Sequence, residues 1–169
     1  MKYNKNLILI GNMAAGKSTI GRLLAKKLNI KFFDTDFIIE NKTKMKIFEI
    51  FEKKGEATFR DLEKKIILNL LNKNNCVISL GGGAFINDAV RKVVQKDNTT
   101  IWLNWSFKTL IDRIKKNNKR PVASNLSNNE LKNFLISRSK IYSKANYKID
   151  CENMEKLEIV NKIIQLLKL

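Results

Sequence analysis

Short apolar runs alternate with longer stretches of helical spacing along this chain. Residues 7–10, 31–34, 76–80, 99–103 and 147–151 are short, rich in β-branched and aromatic side chains, and read as strands. Residues 17–28, 59–72, 88–95, 107–116, 130–144 and 154–167 repeat apolar positions three and four apart and read as helices. In the last of them Leu157, Val160, Ile163, Ile164 and Leu167 share one face. Strands that alternate with helices imply a parallel sheet covered on both sides. The pattern therefore predicts a three-layer αβα fold with a five-stranded parallel sheet, as one domain over residues 1–169.

Two stretches interrupt the rhythm. Residues 36–60 hold two short helical patterns between the second strand and the next long helix. Residues 117–129 are polar, rich in Asn and Ser, and contain the only proline, Pro121. Inserts of this kind carry substrate contacts or act as lids.

Composition narrows the chemistry. With 44% hydrophobic and 29% charged residues the chain is of ordinary globular make-up, and no apolar run reaches the length of a membrane span. The apolar stretch 7–10 ends at Gly11 and is too short for a signal-peptide core, so a cytoplasmic protein is expected. The absence of histidine excludes Ser-His-Asp and Cys-His catalysis and the usual histidine metal sites. Cys76 and Cys151 form no CxxC pair, which points to reduced thiols.

The net charge of +17 raises the question of nucleic acid or a membrane surface. The lysines, however, are scattered in pairs such as Lys26-Lys27 and Lys64-Lys65, so neither partner is expected. The positive field can still draw in anionic ligands. Only six of the 33 basic residues are arginine: Arg22, Arg60, Arg91, Arg113, Arg120 and Arg138. In a lysine-rich chain each planar guanidinium is the more informative, because lysine cannot reproduce its fork.

The first strong motif is Gly11-Asn12-Met13-Ala14-Ala15-Gly16-Lys17-Ser18, followed by Thr19. It matches GxxxxGK[ST] between a buried strand and an amphipathic helix, the context the motif requires. The loop backbone presents N–H groups to phosphate, Lys17 reaches the β- and γ-phosphates, and the Ser18 hydroxyl faces Mg²⁺. This predicts nucleotide binding and says nothing about what receives the phosphate.

Asp34 and Asp36 follow the second strand. An extended continuation would put both carboxylates on one strand-end face, one for a magnesium water shell and one for an acceptor hydroxyl. The alternative reading of the pair is one helix N-cap and one solvated carboxylate. Gly81-Gly82-Gly83 closes the third strand and leaves backbone N–H groups open to a ligand.

Together with Gly55-Glu56-Ala57-Thr58-Phe59-Arg60-Asp61-Leu62-Glu63, Arg120-Pro121, and Arg138 with Tyr142, these pieces resemble the shikimate kinases in order and spacing over essentially the whole chain. The resemblance implies a P-loop NTPase fold of the nucleoside-monophosphate-kinase type. It implies ATP-dependent phosphorylation of the 3-hydroxyl of shikimate, in aromatic amino acid biosynthesis, by a monomer. It assigns Ser18 and Asp34 to Mg²⁺, the latter through water, and Asp36 to the acceptor hydroxyl. Arg60 and Arg138 become the clamp on the shikimate carboxylate, with Glu63 holding Arg60 and residues 81–83 completing the pocket. Phe51 and Phe59 wall the ring, although core packing accounts for each equally well. Lys17, Asp36 and Arg120 are the catalytic set. Arg120 closes over the phosphates as part of the lid, and Arg113 flanks the adenine, where a solvated helix face is the other reading.

Two positions depart from the family. Ala14 stands where glycine is usual, at a cost of about 1 kcal/mol if the backbone there needs φ > 0. Val122-Ala123 replace the usual leucines after Arg120-Pro121. Other small-molecule kinases of the same fold, acting on gluconate or a nucleoside monophosphate, and a nucleic-acid-binding P-loop protein are the remaining readings.

Overall fold

A computed structural model of the chain describes residues 5–116 and 126–169. Its elements run β1 (Leu7–Ile10), α1 (Lys17–Leu28), β2 (Lys31–Asp34), α2 (Thr35–Thr43), α3 (Ile47–Leu71), β3 (Cys76–Ser79), a 3₁₀ turn (Ala84–Ile86), α4 (Asp88–Asp97), β4 (Thr99–Asn104), α5 (Phe107–Lys115), α6 (Asn128–Tyr142), β5 (Tyr147–Asp150) and α7 (Lys156–Leu167). All strand pairings are parallel, in the order β2-β3-β1-β4-β5.

The central strands β3, β1 and β4 are buried at all but one position because helices cover both faces. Leu7 and Leu9 of β1, with Val77 and Ile101, enter a core shared with α1, α5, α6 and α7. Ile8 and Ile10, with Ile78 and Trp102, enter a second core built with α2, α3 and α4. Period-two side chains from one strand thus feed two layers. The pairing register sets Leu9 opposite Ser79, and Ser79 opposite Asp34. The loops leaving β1, β2 and β3 therefore emerge side by side at the C-terminal edge, where open α/β sheets bind ligands.

Most elements lie within a residue or two of their sequence-based positions. One difference is a boundary within α3. The separate helical pattern and the long helix expected from the sequence are both present, meeting at Gly55, whose backbone (φ 79°, ψ 162°) is not helical, and the second stretch begins just after that glycine rather than at 59. A second difference concerns Leu157, expected on the buried face of the last helix. It is 59% exposed, and Ile159, Val160 and Ile163 fill the core instead. Of residues 117–129, positions 117–125, including Arg120 and Pro121, lie outside the described residues, and α6 already begins at Asn128. Among the described residues no helix is long and apolar enough to cross a membrane. Cys76 and Cys151 are both buried free thiols, with pKa values pushed up by burial to about 11 and about 12.

Candidate active site

The loop from β1 to α1 curls back on itself. Ala14 has φ 61°, so the position does demand the left-handed backbone that glycine takes at no cost. Gly16 (φ 81°) caps α1 at its N-terminus. The Lys17 ammonium folds over this loop and donates to the carbonyls of Gly11 (2.9 Å) and Asn12 (3.0 Å). Beside it the Ser18 hydroxyl donates to Asp34 Oδ2, while Asp34 Oδ1 accepts from the Phe37 N–H at 3.2 Å. One carboxylate thus serves both as the N-cap of α2 and as the partner of the phosphate-loop hydroxyl. A cleft of about 720 Å³ flanks the loop, lined by Ala15, Thr19, Trp105, Arg113, Met154 and Leu157, among others.

The turn after β3 faces this loop. Helix α2 begins at Thr35, so the strand does not continue and Asp36 sits in the first helical turn rather than on an extended strand end. Its carboxylate still reaches the glycine turn. A Cβ at Gly81 would stand 2.5 Å from Asp36 Oδ1 and 2.7 Å from Glu63 Oε1, so only glycine lets the two carboxyls close over this backbone. The Gly81 N–H, expected to be open to a ligand, is instead donated to Thr35 Oγ1 at 2.8 Å. This bond pins the end of β2 to the end of β3. A Cβ at Gly83 would meet the Arg60 guanidinium at 2.5–2.6 Å. At Gly82, Arg138 Nη1 and the Met13 amide nitrogen would each lie 3.6 Å from such a Cβ. The phosphate loop and the arginine cluster therefore meet across one residue.

Arg60 is held on three sides. It donates to Glu63 Oε2 at 2.7 Å and to Glu56 Oε1 at 3.1–3.2 Å, and its guanidinium lies 5.1 Å from the Phe59 ring and 5.9 Å from that of Phe51. Burial disfavours its charge, but the Glu63 and Glu56 carboxylates outweigh burial and raise its pKa. Glu63 is 2% exposed; burial pushes its carboxyl up against the pull of Arg60, and the nearby Asp36 charge pushes the same way. Its Oε1 has no hydrogen-bond partner among the described residues. Phe51 and Phe59 pack ring on ring at 4.7 Å, Phe59 being fully part of the core and Phe51 half-buried beside it.

Arg138 makes no ion pair among the described residues. It donates to the Gly82 carbonyl at 3.2 Å and stacks on Phe134 at 4.0 Å. Burial lowers its pKa, and the Arg60 charge adds to the lowering. Tyr142, buried and pushed up to about 12, keeps its proton and donates to the same carbonyl. Two cations converging on one turn, one of them unpaired, form a site that an anion would complete.

The structure thus gathers Lys17, Ser18, Asp34, Asp36, Arg60, Gly81, Gly82, Gly83 and Arg138 at one sheet edge, with Arg113 on the flanking cleft. Arg113 is not on a solvated face: it stacks on Trp105 at 3.7 Å. Arg120 cannot be placed against them. Arg91 serves the fold, tying the carbonyls of Phe85 and Ile86 to Asp88 on α4. Trp105, Glu56 and Phe134 were not foreseen. Glu56 stands one helical turn before Arg60, the spacing of an i,i+4 ion pair, and was legible on that basis; Trp105 and Phe134 carried no signal beyond being aromatic.

The shikimate kinase family model matches residues 13–168. The chain belongs to the shikimate kinase family. A shikimate kinase of Sulfurihydrogenibium sp. is 39% identical over 97% of this chain and 98% of its own length, and that of Flavobacterium psychrophilum is 40% identical over 96% and 99%. Among solved structures, shikimate kinase from Acinetobacter baumannii in complex with shikimate superposes with a TM-score of 0.92 at 30% identity, covering 99% of this chain and 94% of that one. A deoxyadenosine kinase from M. mycoides and a gluconokinase from Sinorhizobium meliloti share the fold, with TM-scores of 0.68 and 0.62, at only 18% and 13% identity. Within this family fold, Ala14 holds a left-handed backbone at φ 61°, a strained conformation for a residue with a Cβ.

Proposed function

We propose that this protein transfers the γ-phosphoryl of ATP to the 3-hydroxyl of shikimate, giving shikimate 3-phosphate and ADP, a step in aromatic amino acid biosynthesis. The observation that carries the reading is the meeting, across Gly82, of a phosphate loop with Arg138, which makes no ion pair among the described residues, and a carboxylate-held Arg60. Two arginine forks at that turn match a carboxylate, which gluconate also carries, so the choice of shikimate among anionic acceptors is supported by family membership. On this reading the enzyme works in the cytoplasm as a monomer, without nucleic-acid or membrane partners.

The nucleotide phosphates lie against the amides of residues 11–18, with Lys17 moving from the loop carbonyls onto the β- and γ-oxygens. Ser18 and Asp34 fit a Mg²⁺ ion that retains several waters. They offer one hydroxyl and one carboxylate in contact, and no cluster of three or more acidic or thiol groups exists among the described residues. The ion supplies neutralisation of phosphate charge. Asp36 orients the acceptor hydroxyl in line with the γ-phosphorus, and the unpartnered Glu63 Oε1 offers an acceptor to a further ring hydroxyl. The new P–O bond forms as the bond to the β-bridging oxygen breaks, and the hydroxyl proton leaves late, toward Asp36. Arg113 flanks the adenine. Arg120, assigned from its motif alone, closes over the phosphates.

A coupled ADP-release assay over a panel of acceptors tests the reading. Turnover is expected with shikimate; turnover with gluconate or a nucleoside monophosphate and none with shikimate would discard it.

The clamp makes a separate prediction. Arg60→Lys and Arg138→Lys keep the charge and lose bidentate geometry. Charge-assisted hydrogen bonds contribute about 1.5–3 kcal/mol, so the shikimate KM is expected to rise roughly 10- to 150-fold in each, with the ATP KM nearly unchanged. A shikimate analogue with its carboxylate reduced to an alcohol should lose little more with the variants than with the wild type. Full additivity of mutation and analogue would remove both arginines from the carboxylate.

A further inference from the structure

We propose that Trp105 is a positioning residue for the nucleotide half of the site, acting by latching the strained Ala14-Ala15 turn of the phosphate loop to the start of α5. The inference rests on the reading of that loop as the ATP site and adds to it a residue from outside the motif.

Three contacts carry it. The Trp105 indole N–H donates to the Ala15 carbonyl at 3.0 Å. The Arg113 guanidinium reaches the preceding carbonyl, that of Ala14, at 3.4 Å. Arg113 and Trp105 are themselves stacked, 3.7 Å from guanidinium carbon to ring centroid. Two consecutive loop carbonyls are therefore each held from the α5 side, by two groups that hold one another. The turn so held is the one that needs holding. Ala14 sits at φ 61°, a region that the Cβ of an L-residue makes unfavourable and that glycine, lacking one, enters freely. Released, the alanine drifts toward negative φ and carries with it the amides of Gly16 and Lys17 that face phosphate.

The anchor itself is rigid. Trp105 follows β4 directly and precedes Ser106, which caps α5 by accepting the Thr109 N–H. Its ring is half-buried against the core that also contains Leu103 and Leu110. Both Trp105 and Arg113 line the cleft beside the loop, so the stacked pair also forms the floor on which a nucleotide base lies.

Steady-state kinetics on Trp105→Phe, Trp105→Ala, Ala14→Gly and the Ala14→Gly/Trp105→Phe double variant tests the latch. Phenylalanine keeps an aromatic face for Arg113 but cannot donate; alanine does neither. The expected ATP KM rises about fivefold for Trp105→Phe and about 20-fold for Trp105→Ala, the sizes that one hydrogen bond and a cation–π contact supply. The shikimate KM stays within about twofold, which confines the effect to the nucleotide; a mere loss of folded protein would lower Vmax and leave both KM values unchanged. With glycine at position 14 the turn is unstrained, so the cost of Trp105→Phe should shrink to about twofold. An equal cost in both backgrounds, or a parallel rise in the shikimate KM, overturns the latch. Should Trp105→Ala fail to fold, the phenylalanine cycle decides alone. Binding of a non-hydrolysable ATP analogue to the wild type separates the two levels: its absence would overturn the nucleotide reading itself, and the latch with it.

Discussion

Lys17→Ala is expected to lower phosphoryl transfer by roughly 10³-fold or more while leaving the fold intact. Phosphoryl transfer depends on positioning and on neutralising charge at the β- and γ-oxygens, and groups that neutralise charge in the transition state contribute on this scale. The stability side follows from the contacts. The Lys17 ammonium sits on the carbonyls of Gly11 and Asn12 at the partly open mouth of the loop, so water can replace it there. Hydrogen bonds of this kind contribute about 0.5–1.5 kcal/mol net, and about 1 kcal/mol moves Tm by some 2–4 °C in a chain of this size. Melting of the ligand-free variant should therefore shift by a few degrees at most. A fall of ten degrees or more, with activity lost in proportion to unfolding, would make Lys17 a structural residue and sink the assignment.

The fold was legible because the middle of the sheet carries its burial in its composition. Leu7-Ile8-Leu9-Ile10 is apolar at every position, and only a strand covered on both faces needs that. What the pattern did not show arises from chain geometry that no side chain announces. Gly55, at φ 79° and ψ 162°, separates the two helical stretches of α3, so the long helix starts at the glycine rather than where its apolar spacing becomes regular. Leu157 shares a helical face with Val160 and Ile164 by spacing alone, but it lies in the first turn of α7. There it lines the cleft beside the phosphate loop rather than the core.

The site was legible to the extent that it is written in motifs. The phosphate loop, the two aspartates, Arg60, Arg138 and the triple glycine all come together. The reasons differed from those expected in two places. Asp36 reaches the glycine turn from a helix rather than a strand, since Asp34 caps α2 and starts it at once. The glycines matter less as open amides than as space: side chains at 81 and 83 would occupy the positions of the Asp36, Glu63 and Arg60 head groups. Trp105 escaped notice because its partners are backbone carbonyls, and a residue that recognises backbone leaves no pattern in the sequence of what it recognises.

Asp36→Asn is expected to lower kcat by about 10²- to 10⁴-fold, the range of general acid–base groups, while shikimate binding stays within tenfold. Asparagine matches the shape that Gly81 accommodates and can still accept a hydrogen bond from the acceptor hydroxyl, so the ground-state complex survives. It cannot take the proton, and it lacks the negative charge that aligns the hydroxyl for attack. The neighbouring Glu63 provides an internal control. Its carboxyl is raised chiefly by burial and further by the Asp36 charge. Removing that charge lowers the Glu63 pKa toward the ordinary value, so Glu63 becomes more readily ionised and its grip on Arg60 is kept. The loss in kcat therefore belongs to Asp36 and should persist across the pH range in which the wild type is active. Single-turnover rates and shikimate titrations on the variant measure the two quantities separately. Near-wild-type turnover would show that orientation by Arg60, Arg138 and the glycine turn is sufficient without the carboxylate. A collapse of shikimate binding with an unchanged rate at saturation would make Asp36 a binding residue alone.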